Sequence, residues 1–270
     1  MVMMEVRDLY KTFNPGTPIE NLVLRGLSLT IESGQFMTVI GSNGAGKSTF
    51  LNAISGDLRM DSGSIHIDGQ DVTRLSAWQR AGMVARVFQD PMAGTCEGLS
   101  IEENMALAWQ RGKKRGFGRA VKNEQRAIFR DKLATLELGL ENRLGDRMDL
   151  LSGGQRQAVS LLMASLQPSR LLLLDEHTAA LDPKTAAFVL QLTDRIVKEN
   201  NLTALMVTHS MRQALDHGHR TVMLHQGQVV LDVEGDKRHT MEVGDLLAMF
   251  EKNRGEKIDD DALLLGSVEV

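Results

Sequence analysis

The chain has 270 residues, of which 42% are hydrophobic and 24% charged, an ordinary balance for a globular fold of one large domain or two lobes. A formal net charge of -4 supplies no global positive field for nucleic acid. No apolar run approaches a membrane span, the N-terminal residues lack a signal-peptide pattern, and Cys96, the one cysteine, excludes an internal disulfide. These features predict a cytosolic protein that reaches a membrane only through a partner.

In chain order, residues 4–9 and 23–31 are predicted strands, parted by the breakers Asn14-Pro15-Gly16-Thr17-Pro18. Phe13 ends the first segment. A ring just before a nucleotide-binding strand can stack on a base, although such a ring more often belongs to the core. Phe36-Met37-Thr38-Val39-Ile40 reads as a buried strand. It runs into Gly41-Ser42-Asn43-Gly44-Ala45-Gly46-Lys47-Ser48-Thr49, which fits the phosphate-loop pattern G-x-x-x-x-G-K-[ST], and then into a predicted helix at Phe50. The glycines let the backbone wrap closely, and its N–H groups and the positive helix end hold an anion. Lys47 is expected on the β- and γ-phosphates of ATP, and Ser48 on Mg²⁺.

Ser64-Ile65-His66-Ile67 alternates into the turn Asp68-Gly69, and residues 83–88 form another predicted strand ending at Gln89. After a loop over residues 90–99, Ser100-Ile101-Glu102-Glu103 is a capping box that predicts a helix to about Gln110. Residues 111–119 form a basic, glycine-rich interruption, read as a solvated loop between helices, with contact to anionic lipid or phosphate as the alternative. A long helix is then expected to about Leu138. Leu151-Ser152-Gly153-Gly154-Gln155 predicts a second capped helix start, another anion site, with Pro168 closing the helix.

Leu171-Leu172-Leu173-Leu174-Asp175-Glu176 fits a central parallel strand buried on both faces, with two carboxylates at its carboxyl end, where open α/β sheets bind ligands. Asp175 is expected to hold Mg²⁺ through water, and Glu176 to poise the attacking water. Asp182-Pro183 opens a further helix, and a strand over residues 203–207 ends in Thr208-His209-Ser210, which places His209 within reach of a γ-phosphate by the same strand-end rule. A terminal hairpin through Gln226-Gly227, a helix near residues 244–252 and an acidic tail at residues 259–261 finish the chain. His66, His217, His219, His225 and His239 show no metal-ligand spacing.

On these motifs the chain resembles the nucleotide-binding subunit of an ATP-binding-cassette (ABC) transporter, over about residues 4–233. The phosphate loop, the signature loop at residues 151–155 and the second nucleotide motif at residues 171–176 fall in the family's order. The resemblance assigns the glutamine loop to Gln89, with a contact to Mg²⁺, the D-loop to Ala180-Leu181-Asp182, the switch histidine to His209 and the adenine-stacking aromatic to Phe13 in Lys11-Thr12-Phe13. It implies an α/β P-loop ATPase core with a mainly parallel sheet (residues 1–89 and 169–242, including an antiparallel β subdomain), an inserted helical subdomain (residues 90–168), and a C-terminal helix with a mobile tail (residues 243–270). One departure is His177, where the family usually has proline. The run Glu176-His177-Thr178-Ala179-Ala180-Leu181-Asp182-Pro183 resembles a branch of bacterial importers of small solutes that includes tryptophan/tyrosine-type transporters.

The implied machine is a head-to-tail dimer of two copies with two ATP molecules at its interface. Each ATP touches one copy's phosphate loop and the other's Ser152, Gly153, Gly154 and Gln155. The implied partners are integral-membrane permease subunits and, through them, an extracytoplasmic solute-binding protein, at the cytoplasmic face of the membrane. Rival readings are an exporter or lipid-extraction ATPase, a soluble ABC ATPase acting on DNA or ribosomes, and a non-catalytic cassette. Residues 49–151 leave no room for a long coiled coil, the chain carries one cassette rather than two, and Glu176, His209 and the signature loop are intact.

Overall fold

The computed structural model describes residues 1–113, 116 and 121–254. The remainder of the basic run at 111–119 and the acidic tail at 259–261 lie outside the described residues. The chain divides into two compact units, one holding residues 1–77 and the chain from Thr203 onward, the other Trp78–Leu202.

The first unit begins with β1 (Val2–Phe13) and β2 (Asn21–Glu32), an antiparallel pair with Met4 opposite Ile31 and Phe13 opposite Asn21. Next come β3 (Phe36–Ile40), α1 (Lys47–Ser55), β4 (Ser62–Ile67) and the short β5 (Gln70–Asp71). The antiparallel sheet runs in the order β2-β1-β4-β5. Its inward positions Met4, Val6, Leu9, Leu24, Leu27, Ile65 and Ile67 are each 0–1% exposed, as strands with one buried face require. By contrast, all five residues of β3 are buried, as in a strand covered on both sides.

The second unit holds most of α2 (Ala77–Arg80), then β6 (Val84–Val87), α3 (Ile101–Trp109), α4 (Asn123–Ala134), α5 (Gly153–Ser165), β7 (Leu171–Asp175) and α6 (Pro183–Glu199). β6 and β7 pair in parallel, Val84 to Leu171 through Val87 to Leu174. The helix predicted to reach Leu138 stops at Ala134. Glu137 and Gly139 take left-handed backbone (φ of 57° and 70°), which ends an α-helix, and a 3₁₀ turn over Leu140–Asn142 follows.

Back in the first unit, β8 (Ala204–Val207), α7 (Met211–Asp216), β9 (Arg220–His225), β10 (Gln228–Glu234), α8 (Asp236–His239) and α9 (Val243–Arg254) complete the chain. β3 is flanked by β8 and β9, both parallel to it, and β10 runs antiparallel beside β9 through the predicted Gln226-Gly227 turn. Ile40, Met211, Ala214, Met223, Leu231, Leu246 and Phe250 form one buried apolar cluster, so α7 and α9 cover this end of the sheet. The architecture is the α/β P-loop ATPase type, with an antiparallel sheet, parallel central strands and helices.

Candidate functional site

In the first unit the phosphate loop leaves the carboxyl end of β3 and enters α1. Two of its glycines, Gly41 and Gly46, are required by close contacts. A Cβ on Gly41 (φ of 154°) would lie 2.2 Å from the Leu224 carbonyl oxygen, and one on Gly46 (φ of 99°) 2.9 Å from Leu24 Cδ2. Gly46 is the N-cap of α1 in left-handed backbone, a conformation glycine adopts without steric cost. The β9–β10 turn supports the loop from outside, because the Gly227 N–H donates to the Ala45 carbonyl at 3.1 Å. Lys47 is 7% exposed. Its ammonium lies back over the loop and donates to the carbonyls of Gly41 (2.5 Å) and Ser42 (3.2 Å). Asn43, Gly44 and Ser48 are exposed, while Ser42 and Thr49 are half-buried.

His209 leaves the carboxyl end of β8, whose register pairs Val207 with Val39 of β3. The phosphate loop and His209 therefore emerge from neighbouring parallel strands at the same sheet edge, where α/β folds bind ligands. The backbone around the histidine is tied down. Thr208 N–H donates to the Val39 carbonyl at 3.1 Å, Ser210 N–H to Thr208 Oγ1 at 3.1 Å, and Gln213 N–H to Ser210 Oγ at 3.2 Å. His209 itself is exposed. Phe13 is half-buried at the end of β1, with the Lys11 ammonium 5.8 Å from its ring centre. Lys11 is fixed by Asp61 (2.8 Å), which also accepts from Thr12 N–H at 2.6 Å. These bonds, that of Lys11 first, hold the Asp61 carboxyl below its ordinary value.

In the second unit the parallel pair repeats this arrangement. Gln89 follows the end of β6, and Asp175 and Glu176 stand at the end of β7. Arg86 donates to Asp175 Oδ2 at 2.6 Å, with the two side chains 12% and 14% exposed, and its guanidinium lies 4.7 Å from the Phe88 ring centre. Glu176 has left-handed backbone, with φ of 41°.

A second grouping in the same unit joins the signature loop to the D-loop. Ser152 caps α5 reciprocally, accepting from Gln155 N–H (3.3 Å) while Gln155 Oε1 accepts from Ser152 N–H (3.1 Å). Gly153 packs toward Leu181, and a Cβ on Gly154 would lie 2.1 Å from Thr185 Cγ2, so α5 closes on α6 only with glycine there. Asp182 caps α6 through Thr185 N–H at 3.1 Å, and its hydrogen bonds with Thr185 keep its carboxyl below the ordinary value.

Three supporting residues were not singled out from the sequence. Arg86, just described, is one. Asn104, 1% exposed on α3, donates to the carbonyls of Cys96, Leu99 and Ser100 and accepts from Cys96 N–H, so it shapes the loop after Gln89. Gln157, fully buried on α5, donates to the Phe88 carbonyl at 3.2 Å and so links the signature helix to the residue before Gln89. The one signal was a polar residue inside an apolar segment, most clearly Arg86 in Val84-Ala85-Arg86-Val87.

A glycine-built phosphate cradle with a buried lysine, and acids at the end of a central parallel strand, define a P-loop nucleotide hydrolase. Comparison with known proteins narrows the class. The family model described as "ABC transporter" matches residues 24–179. A tyrosine transport ATP-binding protein of Clostridioides difficile (strain R20291) is 45% identical over 251 residues, covering 92% of this chain and 99% of that protein. An aliphatic sulfonates import ATP-binding protein of Agrobacterium fabrum is 35% identical over 231 residues, covering 86% and 79%. Among solved structures, a dimeric ATP-binding cassette in a post-hydrolysis state bound to ADP and Pi superposes with a TM-score of 0.74 at 29% identity, covering 86% of this chain and 98% of that one. The chain belongs to the ABC transporter family. It is an ATP-binding, ATP-hydrolysing subunit.

Proposed function

We propose that this chain powers the import of a small solute such as an amino acid, as a homodimer on the cytoplasmic face of the membrane beneath integral-membrane permease subunits. An extracytoplasmic solute-binding protein acts on it indirectly, through the permease. The observation that carries the importer reading is the similarity to the tyrosine transport protein, which spans 99% of that relative's length. Among the described residues no helix is long and apolar enough to cross a membrane.

In this reading Gly41–Thr49 wrap the phosphates, Lys47 supplies a point charge to the β- and γ-phosphates, and Phe13 stacks on adenine. Glu176 orients the attacking water and His209 donates to the γ-phosphate. Ser152, Gly153, Gly154 and Gln155 of the second copy, together with its Asp182, cover the outer side. The capped start of α5 supports that role, because it presents an exposed helix N-terminus that favours an anion.

The residues also fit Mg²⁺. Among the described residues no group of three or more His, Cys, Asp or Glu can hold a metal ion. The fit rests on the donor set instead: the Ser48 hydroxyl and the Asp175 carboxylate are hard oxygen ligands, and Mg²⁺ takes one or two carboxylates with the substrate's phosphates. Ser48, Gln89 and Asp175 are the groups that would each supply a ligand to it. When bound, Mg²⁺ neutralises charge on the β- and γ-phosphates.

The loop after Gln89 is read as the permease contact. It borders a groove of about 1000 Å³ in the second unit, lined by Trp78, Phe88, Cys96, Leu107 and Met163 among others. Trp78 is 77% exposed there, and a large exposed apolar ring suits a protein contact. ATP draws the two copies together and hydrolysis releases them, a two-state lever set by differential contacts with ATP and ADP.

The test is to tag the chain, solubilise native membranes gently and identify what co-purifies. A multi-span permease with a solute-binding protein encoded beside it is the expected result. A permease with no binding protein points to export. Ribosomes, nucleic acid or no membrane association would overturn the transporter role.

A further inference from the structure

Glu176 occupies a costly backbone position. A non-glycine residue with left-handed backbone persists only where its surroundings hold it there. The residue after it provides such a hold. His177 is 1% exposed, and its Nε2 lies 3.0 Å from Thr193 Oγ1, inside α6 and fully buried. Thr193 donates its single hydroxyl proton to the Val189 carbonyl at 2.8 Å, so its oxygen is an acceptor toward the imidazole. Nε2 therefore carries the proton. The following turn is closed as well, by Ala179 N–H donating to the Glu176 carbonyl at 2.9 Å and Leu181 N–H to the Thr178 carbonyl at 3.2 Å.

We propose that His177 is a positioning residue for ATP hydrolysis, anchoring the Glu176–His177 peptide to α6 through Thr193 so that the Glu176 carboxylate keeps its direction. The proposal rests on the reading of Glu176 as the group that orients water. His177 is buried, so its part is played through the backbone of its neighbour. A buried imidazole N–H is costly to leave without an acceptor, so the anchor resists rotation of the peptide on which Glu176 depends. The same α6 carries Asp182 at its N-cap. The anchor therefore also connects the hydrolytic carboxylate to the helix that begins at the D-loop.

The test uses the full-length chain and four steady-state ATPase measurements. Thr193→Val keeps the side-chain shape and removes the acceptor. It is expected to lower kcat about tenfold with KM for ATP changed by less than about twofold, since binding does not pass through Glu176. Thr193→Ser keeps the hydroxyl and is expected to restore kcat to within about twofold of the unsubstituted chain. Glu176→Gln, the control for the underlying reading, is expected to abolish turnover. Thr193→Val with an unchanged kcat, beside an inactive Glu176→Gln, overturns the anchor and leaves the role of Glu176 standing. An active Glu176→Gln overturns both. The unsubstituted chain gives a reading that no folding defect can confound: ¹⁵N imidazole spectra should show His177 as the Nε2–H form. The Nδ1–H form would overturn the hydrogen bond on which the anchor depends.

Discussion

Lys47 shows how a motif residue is prepared by its own loop. Its ammonium has three protons, and the structure directs two of them to the Gly41 and Ser42 carbonyls, so the charge stays at the loop. Lys47→Ala is expected to weaken ATP binding at least about tenfold by titration calorimetry, and an unchanged Kd would remove Lys47 from that role. Gly154 is fixed by space instead. Gly154→Ala puts a methyl against Thr185 Cγ2 and should cost about 2 kcal/mol in a denaturant melt. Thr185→Ser deletes the opposing methyl, so the double variant should recover most of that loss; no recovery would place the strain elsewhere. Arg86→Ala leaves the largely buried Asp175 carboxylate without its guanidinium partner, with an expected destabilisation of about 3 kcal/mol. The phosphate-loop and strand-end positions could be proposed from the sequence because phosphate chemistry dictates their types and spacing. Arg86 and Gln157 were not, because their partners Asp175 and Phe88 lie 89 and 69 positions away, and only the folded chain brings them together.

At the scale of elements, buried strands and capped helices were the readable signals. The five-residue β3 and β7 announced themselves as short, mostly apolar runs, and Ser100-Ile101-Glu102-Glu103 starts α3 with the capping box predicted. α2, α7 and α8 were not read, since helices of four to six residues are too short for a 3.6-residue period to show. The caps also give a pH dependence. Hydrogen bonds hold Asp182 and Glu103 below their ordinary values, through Thr185 and Ser100 respectively. A carboxyl lowered by folding contributes stability above its unfolded value and loses it as pH falls through the folded one. These two helix starts should therefore be at full strength at neutral pH and weaken only below the ordinary carboxylate range. Thermal melts from pH 7 down to 3 check this, and Asp182→Asn should flatten part of the slope.

For the whole molecule, the sequence suggests a nucleotide-binding core and an inserted helical stretch. The expected helical lobe, residues 90–168, falls inside the second unit, which also takes in β6, β7 and α6. Composition cannot show that grouping, because it depends on the register joining residues 84–87 to 171–174. The class of activity was legible since three nucleotide motifs follow one another in a single chain. The solute was not, because nucleotide motifs carry no information about what is transported. The most direct check of the central claim follows Glu176→Gln in Mg·ATP, measuring turnover and molecular mass together. An ATP-loaded dimer with turnover reduced at least about a hundredfold is the expected result. Rapid turnover, or a chain that binds ATP and remains monomeric, would contradict it.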